Sequence, residues 1–427
     1  MTPRPSWALV IFLLMPLAAC DPSLNAPDPG AQSRDLPDDF APTGDEFLVV
    51  VLPDTQIYAR DYPLSFEAQL RWIVENAERY KIVFVSHVGD VVHNASEQVE
   101  WDAARAAYSQ LDEIDLPHGF AIGGHDTSST LYSEPIDSSC SPFSTTDCSS
   151  ADYLANFGPQ HYQDRSWFGG ASPSGRSSYQ LIQAGGMELL FLHLLQDTPE
   201  AELNWADGVL SAHPSVLAHV TTHRYLYDYR LTDFLPAPLN LLPGGRFSSI
   251  TYDLGDQHLL FDTGLEASEF FARLIAPHPS VWAVHCGHVD GELRQQAVNE
   301  AGLPVHEILI DFQEMADGGG GWLRLLKFKP SSNQVESLTF STTSFHARGN
   351  GDGFEHSLSL LRRYRDAYSE DLVELGLDGA ELDLLLEEVA APGPERDGYY
   401  ESLYGSGLRD SRFVLDVNFS DYISAAR

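Results

Sequence analysis

Six apolar residues in a row, Phe47-Leu48-Val49-Val50-Val51-Leu52, are followed at once by Pro53-Asp54-Thr55-Gln56. An uninterrupted Val/Leu run suits a central strand buried on both faces, the kind found in parallel sheets. Proline closes such a strand because it has no N–H to give to the ladder. Asp54 and Gln56 are two apart, so in extended backbone their side chains leave on the same side. Two oxygens are thereby offered at the carboxyl end of a central strand, where open α/β sheets place their chemistry.

The next segments repeat the arrangement. Residues 65–74 carry apolar side chains at helical spacing, with Ser65 as N-cap. Residues 82–88 form a second apolar strand that ends in Gly89-Asp90. A helix over 98–111 leads to a short strand at 118–122 and then to Gly123-Gly124-His125-Asp126. Strand, helix, strand, helix, strand is a parallel α/β pattern. Residues 178–182 and 188–192 read as a hairpin joined by Gly185-Gly186, and a helix opens at Asn204. Residues 216–220 run into Thr221-Thr222-His223, and 281–284 into His285-Cys286-Gly287-His288-Val289-Asp290. Residues 308–310 and 323–328 read as antiparallel strands with Gly318 to Gly321 as the turn between them. That glycine run lacks a following Lys-Ser and is no phosphate cradle. Strands at 337–345 and 413–417 complete the pattern.

At the N-terminus one positive charge, Arg4, precedes an apolar run to Ala19 and then Cys20. This is a signal peptide, too short in its core to span a bilayer. Leu17-Ala18-Ala19-Cys20 resembles the bacterial lipobox, whose cysteine is lipidated and becomes the mature N-terminus; an ordinary secretory signal containing a cysteine is the alternative. Acyl chains, at ~0.8 kcal/mol per buried CH₂, anchor firmly when more than one is present. Asp21 resembles the inner-membrane retention signal of enteric bacteria, a rule that does not extend to all bacteria, so the sequence leaves open which membrane is meant. The expected organisation is a signal peptide over 1–20 and a disordered Pro/Asp/Ser-rich tether over 21–45. One large α/β domain follows over 46–345, then an acidic, partly helical excursion over 346–408, and a terminal strand with its tail over 409–427.

A formal net charge of -37 argues against polyanionic partners, since nucleic acid and anionic lipid surfaces would both be repelled. Cys140 and Cys148 lie close together in a Ser/Thr-rich loop, where an exported protein forms a disulfide or carries two free thiols. Cys286 ends an apolar strand and reads as core.

Asp54-x-Gln56, Gly89-Asp90, Gly123-Gly124-His125-Asp126, Thr222-His223 and Gly287-His288-x-Asp290 occur in one fixed order, each just after a strand. The series resembles the calcineurin-like metallophosphoesterases over about residues 47–345. The family signature is Asp-x-His, Gly-Asp, Gly-Asn-His-Asp/Glu, His and Gly-His-x-His. The resemblance implies a four-layer αββα sandwich, with two mixed β-sheets flanked by helices and a pair of divalent metals at the strand ends. By the same likeness Asp54, Gln56 and Asp290 hold one ion, His223 and His288 hold the other, and Asp90 bridges them. His125 protonates the leaving alkoxide and Asp126 orients its ring.

Three positions depart from the signature. Gln56 replaces a histidine, as in relatives with a Pro-Asp-Thr-Gln motif, and Asp290 replaces the second histidine of Gly-His-x-His. Gly124 replaces the asparagine and brings no side chain. Among Mn, Mg, Ca, Fe and Zn, the oxygen-rich first site favours Mn²⁺, Mg²⁺ or Ca²⁺ over Zn²⁺. The implied activity is metal-dependent hydrolysis of a small-molecule phosphate mono- or diester by a hydrolase lipid-anchored through Cys20 to a bacterial membrane, in the periplasm or at the outer surface. The alternative is a degenerate scaffold that binds metal or ligand without efficient turnover.

Overall fold

Residues Phe47–Leu52 form strand β1, buried along its whole length. A computed structural model of the chain describes residues 35–127, 150–227, 245–246, 267–289, 291–313, 315–344, 346–347 and 411–424. The expected signal peptide, Cys20, Cys140, Cys148, Asp290 and almost all of the expected 346–408 excursion lie outside these residues.

After β1 come α1 (Gln56–Asp61), α2 (Pro63–Asn76), β2 (Ile82–His87), α3 (Gln98–Glu113) and β3 (His118–Phe120). The middle of the chain supplies α4 (Ala151–Phe157), β4 (Phe168–Ala171), β5 (Ser178–Ala184), β6 (Met187–His193), α5 (Glu200–Ala212) and β7 (Leu217–Thr221). A two-residue pair, β8 (Leu226–Tyr227) and β9 (Gly245–Arg246), stands apart from the main sheets. Then follow β10 (Val281–Cys286), β11 (Gly291–Val298), β12 (Pro304–Asp311), β13 (Trp322–Lys329), β14 (Gln334–Ser341), β15 (His346–Ala347) and β16 (Arg412–Asp416).

Two mixed seven-stranded sheets result. One has the order β15-β14-β13-β1-β2-β3, with β16 also paired to β14; the other runs β11-β12-β10-β7-β6-β5-β4. Strands β1, β2 and β3 are mutually parallel in the first sheet, and β6, β7, β10 and β12 in the second. Helices cover the outer faces. Gln69 on α2 donates to the Trp322 carbonyl at 3.0 Å, and Trp72 packs on Phe340 of β14. Across the molecule Leu203, Ala206 and Leu210 of α5 join Leu190 and Leu192 of β6 in a second apolar cluster. The four-layer sandwich expected from the sequence is the observed architecture. Among the described residues no helix is long and apolar enough to cross a membrane.

The sheets meet through an aromatic stack and a polar layer. Phe84 of β2 stacks on Phe191 of β6 with ring centroids 3.9 Å apart. One residue pair towards the strand ends, Ser86 Oγ lies 2.9 Å from His193 Nε2 and 3.0 Å from Thr221 Oγ1. His193 gives its Nδ1–H to Gln180 Oε1 at 2.9 Å, which leaves Nε2 to accept from Ser86. These hydrogen bonds satisfy buried polar groups just beneath the strand ends.

Several local expectations are corrected. Helix α2 starts at Pro63 with Tyr62 at the cap, so Ser65 lies inside it; proline suits the first helical turn because the N–H it lacks has no partner there. Gln56 is not extended but is the first residue of α1, so strand alternation does not set its direction. Strand β12 pairs with β10 and β11, whereas β13 pairs with β1 and β14. The Gly318–Gly321 stretch therefore crosses between sheets and joins no hairpin; periodicity shows two strands but not which sheet each enters. The expected tether is docked from residue 35 onward. Leu36 and Phe40 are buried, the Leu36 N–H donates to Tyr80 Oη at 3.0 Å, and Arg412 pairs with Asp39 at 2.6 Å. Two apolar anchors four residues apart suffice to hold this otherwise polar segment.

Truncating the inter-sheet stack tests this packing. Phe84→Ala is expected to cost about 3–5 kcal/mol in urea unfolding, and a loss under about 1 kcal/mol would contradict the central position given to this ring.

Candidate metal centre

The carboxyl ends of β1, β2 and β3 in one sheet face those of β7 and β10 in the other, and the loops leaving these five ends build the site. Main-chain hydrogen bonds tie the loops together. Thr55 N–H donates to the Asp90 carbonyl at 3.1 Å, Val88 N–H to Leu52 at 3.2 Å, and Gly287 N–H to His223 at 3.0 Å. Buried His87 braces the base. Its Nδ1 accepts the Gly89 N–H at 3.0 Å, so Nε2–H donates to Thr55 Oγ1 at 2.9 Å. Burial, followed by nearby His223, lowers the pKa of His87 to about 3, in keeping with the neutral ring this pattern requires.

Asp90, His223 and His288 each present one ligand atom, and the three atoms lie within 4.8 Å of one another. His223 gives its Nδ1–H to the Val88 carbonyl at 3.0 Å, which leaves Nε2 with a lone pair 3.1 Å from Asp90 Oδ2. Nε2 is buried, and its neighbour there is the Asp90 carboxylate, held as an ion-pair contact. Two lone-pair atoms brought together out of water are what a cation site requires, and a backbone-anchored Nδ1–H is the usual support of a ligating histidine. Asp54 belongs to the same group. Its Oδ2 is 4.0 Å from His223 Nε2, and it accepts the His288 N–H at 3.2 Å. Gln56 is buried with Oε1 lacking any hydrogen-bond partner. The donor set fits a divalent cation.

The backbone bends to make this arrangement. Asp90 has φ +53° and His288 φ +76°, in the left-handed region that costs a non-glycine residue about 1–3 kcal/mol. Two glycines permit the approach. A Cβ on Gly123 would lie 2.0 Å from Asp90 Oδ1, and one on Gly287 would lie 2.0 Å from Asp54 Oδ1.

The electrostatics follow from burial among neighbours. Burial opposes ionisation of Asp90, and His223, His125 and His288 around it more than offset that, holding its pKa below the usual carboxylate range. With no cation bound, burial opposes charge on His223 but the Asp90 carboxylate raises its pKa above the ordinary histidine value, so Nε2 is the atom that takes either a proton or, in its place, a cation. Burial, then His223 and Arg224, holds His288 well below it.

His125 and Asp126 part company with expectation. Asp126 does not reach the His125 ring. Its Oδ1 accepts the Val91 and Val92 N–H groups at 2.7 and 3.2 Å, and its Oδ2 accepts the Gly123 N–H at 2.9 Å. Burial and the Asp90 charge push Asp126 up to about 7, against these three donors. The ring of His125 is oriented by His93, whose carbonyl accepts Nδ1–H at 2.7 Å and whose ring stacks on it at 4.8 Å. Glu100 in turn fixes the His93 loop, accepting the His93 and Asn94 N–H groups at 2.7 and 2.9 Å. The contribution of His93 was not visible in the sequence, because it works through a backbone carbonyl. Asn94 Oδ1 accepts the Ser96 N–H at 3.1 Å in an Asx turn. Cys286 is core, with burial raising its thiol pKa.

No family model matches the chain. Among curated proteins it is 27% identical over 341 residues to Uncharacterized protein YvnB of Bacillus subtilis, covering 77% of this chain. The chain spans 23% of the length of that relative. Among solved structures it is similar to a dimetal phosphatase from Danio rerio, with TM-score 0.40 and 12% identity, covering 69% of this chain and 96% of that one. It is also similar to a purple acid phosphatase from yellow lupin seeds, with TM-score 0.41 and 12% identity, covering 72% of this chain and 53% of that one.

The close approach at Gly123 gives a direct test. Gly123→Ala forces its methyl group onto Asp90, so affinity for Mn²⁺ in calorimetric titration is expected to fall about tenfold or more. Unchanged affinity would show that Asp90 takes no part in binding.

Proposed function

We propose that this chain is a metal-dependent phosphoesterase that hydrolyses a phosphate mono- or diester of a small molecule, exported and held to a bacterial membrane through lipidated Cys20. The observation that carries the reading is the convergence of Asp90, His223 and His288, with the tautomer of His223 fixed so that Nε2 faces Asp90. Asp54, Gln56 and Asp90, together with Asp290, would hold one ion; Asp90, His223 and His288 would hold the other. Bound divalent ions supply Lewis acidity toward phosphoryl oxygens and lower the pKa of water.

The chain's own residues do the rest. Asp90 Oδ1 accepts the His125 N–H at 2.9 Å, which sets the His125 loop against the centre. With Nδ1 committed to the His93 carbonyl, Nε2 of His125 is the atom that would deliver a proton to the leaving alkoxide. A carbonyl holds the ring as a carboxylate would, and adds no further negative charge beside Asp54, Asp90 and Asp126. The motif Leu17-Ala18-Ala19-Cys20 supports the membrane anchor, and the net charge of -37 argues for small substrates over polyanions.

A second reading, a scaffold that binds metal without turnover, is favoured by the missing side chain at Gly124 and by Asp290 in place of a histidine. Hydrolysis of chromogenic phosphate mono- and diesters by the full chain with Mn²⁺ separates the two. Chelation should abolish hydrolysis and Mn²⁺ should restore it, while Asp90→Asn is expected to lower kcat/KM by about a hundredfold or more. Hydrolysis that Asp90→Asn leaves unchanged would overturn the phosphoesterase reading; bound ions without any hydrolysis would establish the scaffold.

A further inference from the structure

Gly124 brings no side chain to the centre, yet the space beside it is filled. A Cβ on Gly124 would lie 3.3 Å from Gln196 Nε2 and 3.5 Å from its Oε1. Gln196 sits on the loop after β6, in the other sheet, and its carboxamide takes the room that a side chain at position 124 would use. The residue is 8% exposed, and its Oε1 is buried without a hydrogen-bond partner. An amide oxygen left so is costly to bury, and a bound partner would recover that cost. Carbonyl oxygens of this kind are ordinary ligands for hard divalent cations.

The loop is pinned on both sides. The Gln196 N–H donates to the Ile122 carbonyl at 2.9 Å, next to a parallel bridge between Ile122 and Leu195. The following residue, Asp197, has φ +51°, and its carboxylate takes Arg224 at 2.9 Å from Nε and 2.5 Å from Nη2. Arg224 is the chain neighbour of His223. Gln196 is thus fastened between the loop that carries His125 and the loop that carries His223.

We propose that Gln196, through Oε1, supplies the oxygen ligand that Gly124 lacks and completes the shell of the second ion beside Asp90, His223 and His288. The inference rests on the two-ion reading above. One ligand has moved from the turn after β3 to the loop after β6, and glycine at position 124 makes room for it.

The test is calorimetric titration of the full chain with Mn²⁺, with metal content measured after dialysis. Wild type is expected to bind two ions. Gln196→Ala should keep the first and weaken the second by about tenfold or more, since even residues that only support a ligand cost that much. Gly124 lies outside the left-handed region, so its backbone admits asparagine once Gln196→Ala has cleared the room beside it. Gly124→Asn added to Gln196→Ala should restore the second ion, and Gln196→Glu should retain it. Circular dichroism checks folding. Should Gln196→Ala fail to fold, the double variant and Gln196→Glu decide the matter. An unweakened second ion in Gln196→Ala, or no recovery in the double variant, overturns the role of Gln196 alone. Wild type binding one ion also overturns it alone; wild type binding none overturns the phosphoesterase reading as well.

Discussion

Three carboxylates, those of Asp54, Asp90 and Asp126, lie at 1% exposure or less around one point. Each buried anion costs several kcal/mol unless it is compensated, and their mutual repulsion adds to that. The surrounding architecture answers each in turn. Asp126 receives three backbone N–H groups, Asp54 the His288 N–H, and Asp90 the His125 N–H with His223 beside it. Buried polar atoms without a hydrogen bond remain at His223 Nε2, Gln56 Oε1 and Gln196 Oε1. Neutralising what is left calls for positive charge from outside the chain, and divalent cations meet that need.

The two-sheet fold makes this compensation possible. Parallel strands bring their carboxyl ends to one edge, and the β1–β2–β3 edge meets the β7–β10 edge there. The Phe84–Phe191 stack and the Ser86, His193 and Thr221 hydrogen bonds fix how the sheets face each other. A small slide between the sheets would part Asp90 from His223, which come from different sheets. Packing beneath the site therefore sets the spacing within it.

Much of this was legible in the sequence. Unbroken apolar runs marked β1, β2, β7 and β10, and the polar residue placed directly after each run marked the site. Four of the residues so marked, Asp54, Asp90, His223 and His288, come together in the structure. Asp126 was legible as a member of the group but not in its role, because its partners are backbone N–H groups that no side-chain motif reveals. His93 and Gln196 carried no signal of their own; one acts through a carbonyl and the other from a loop some seventy residues beyond the turn it touches.

The sequence alone determined the strand order along the chain, the parallel βαβ start and which strand ends carry polar residues. These follow from local rules, since burial on both faces demands continuous apolar residues and proline or glycine must end the run. Only the tertiary structure decided which strands pair, that β12 and β13 belong to different sheets, and which side chains fill one another's space. Those outcomes depend on contacts between residues far apart in the chain. An amide from β6's loop can occupy the room left by a glycine after β3 only once two sheets have packed.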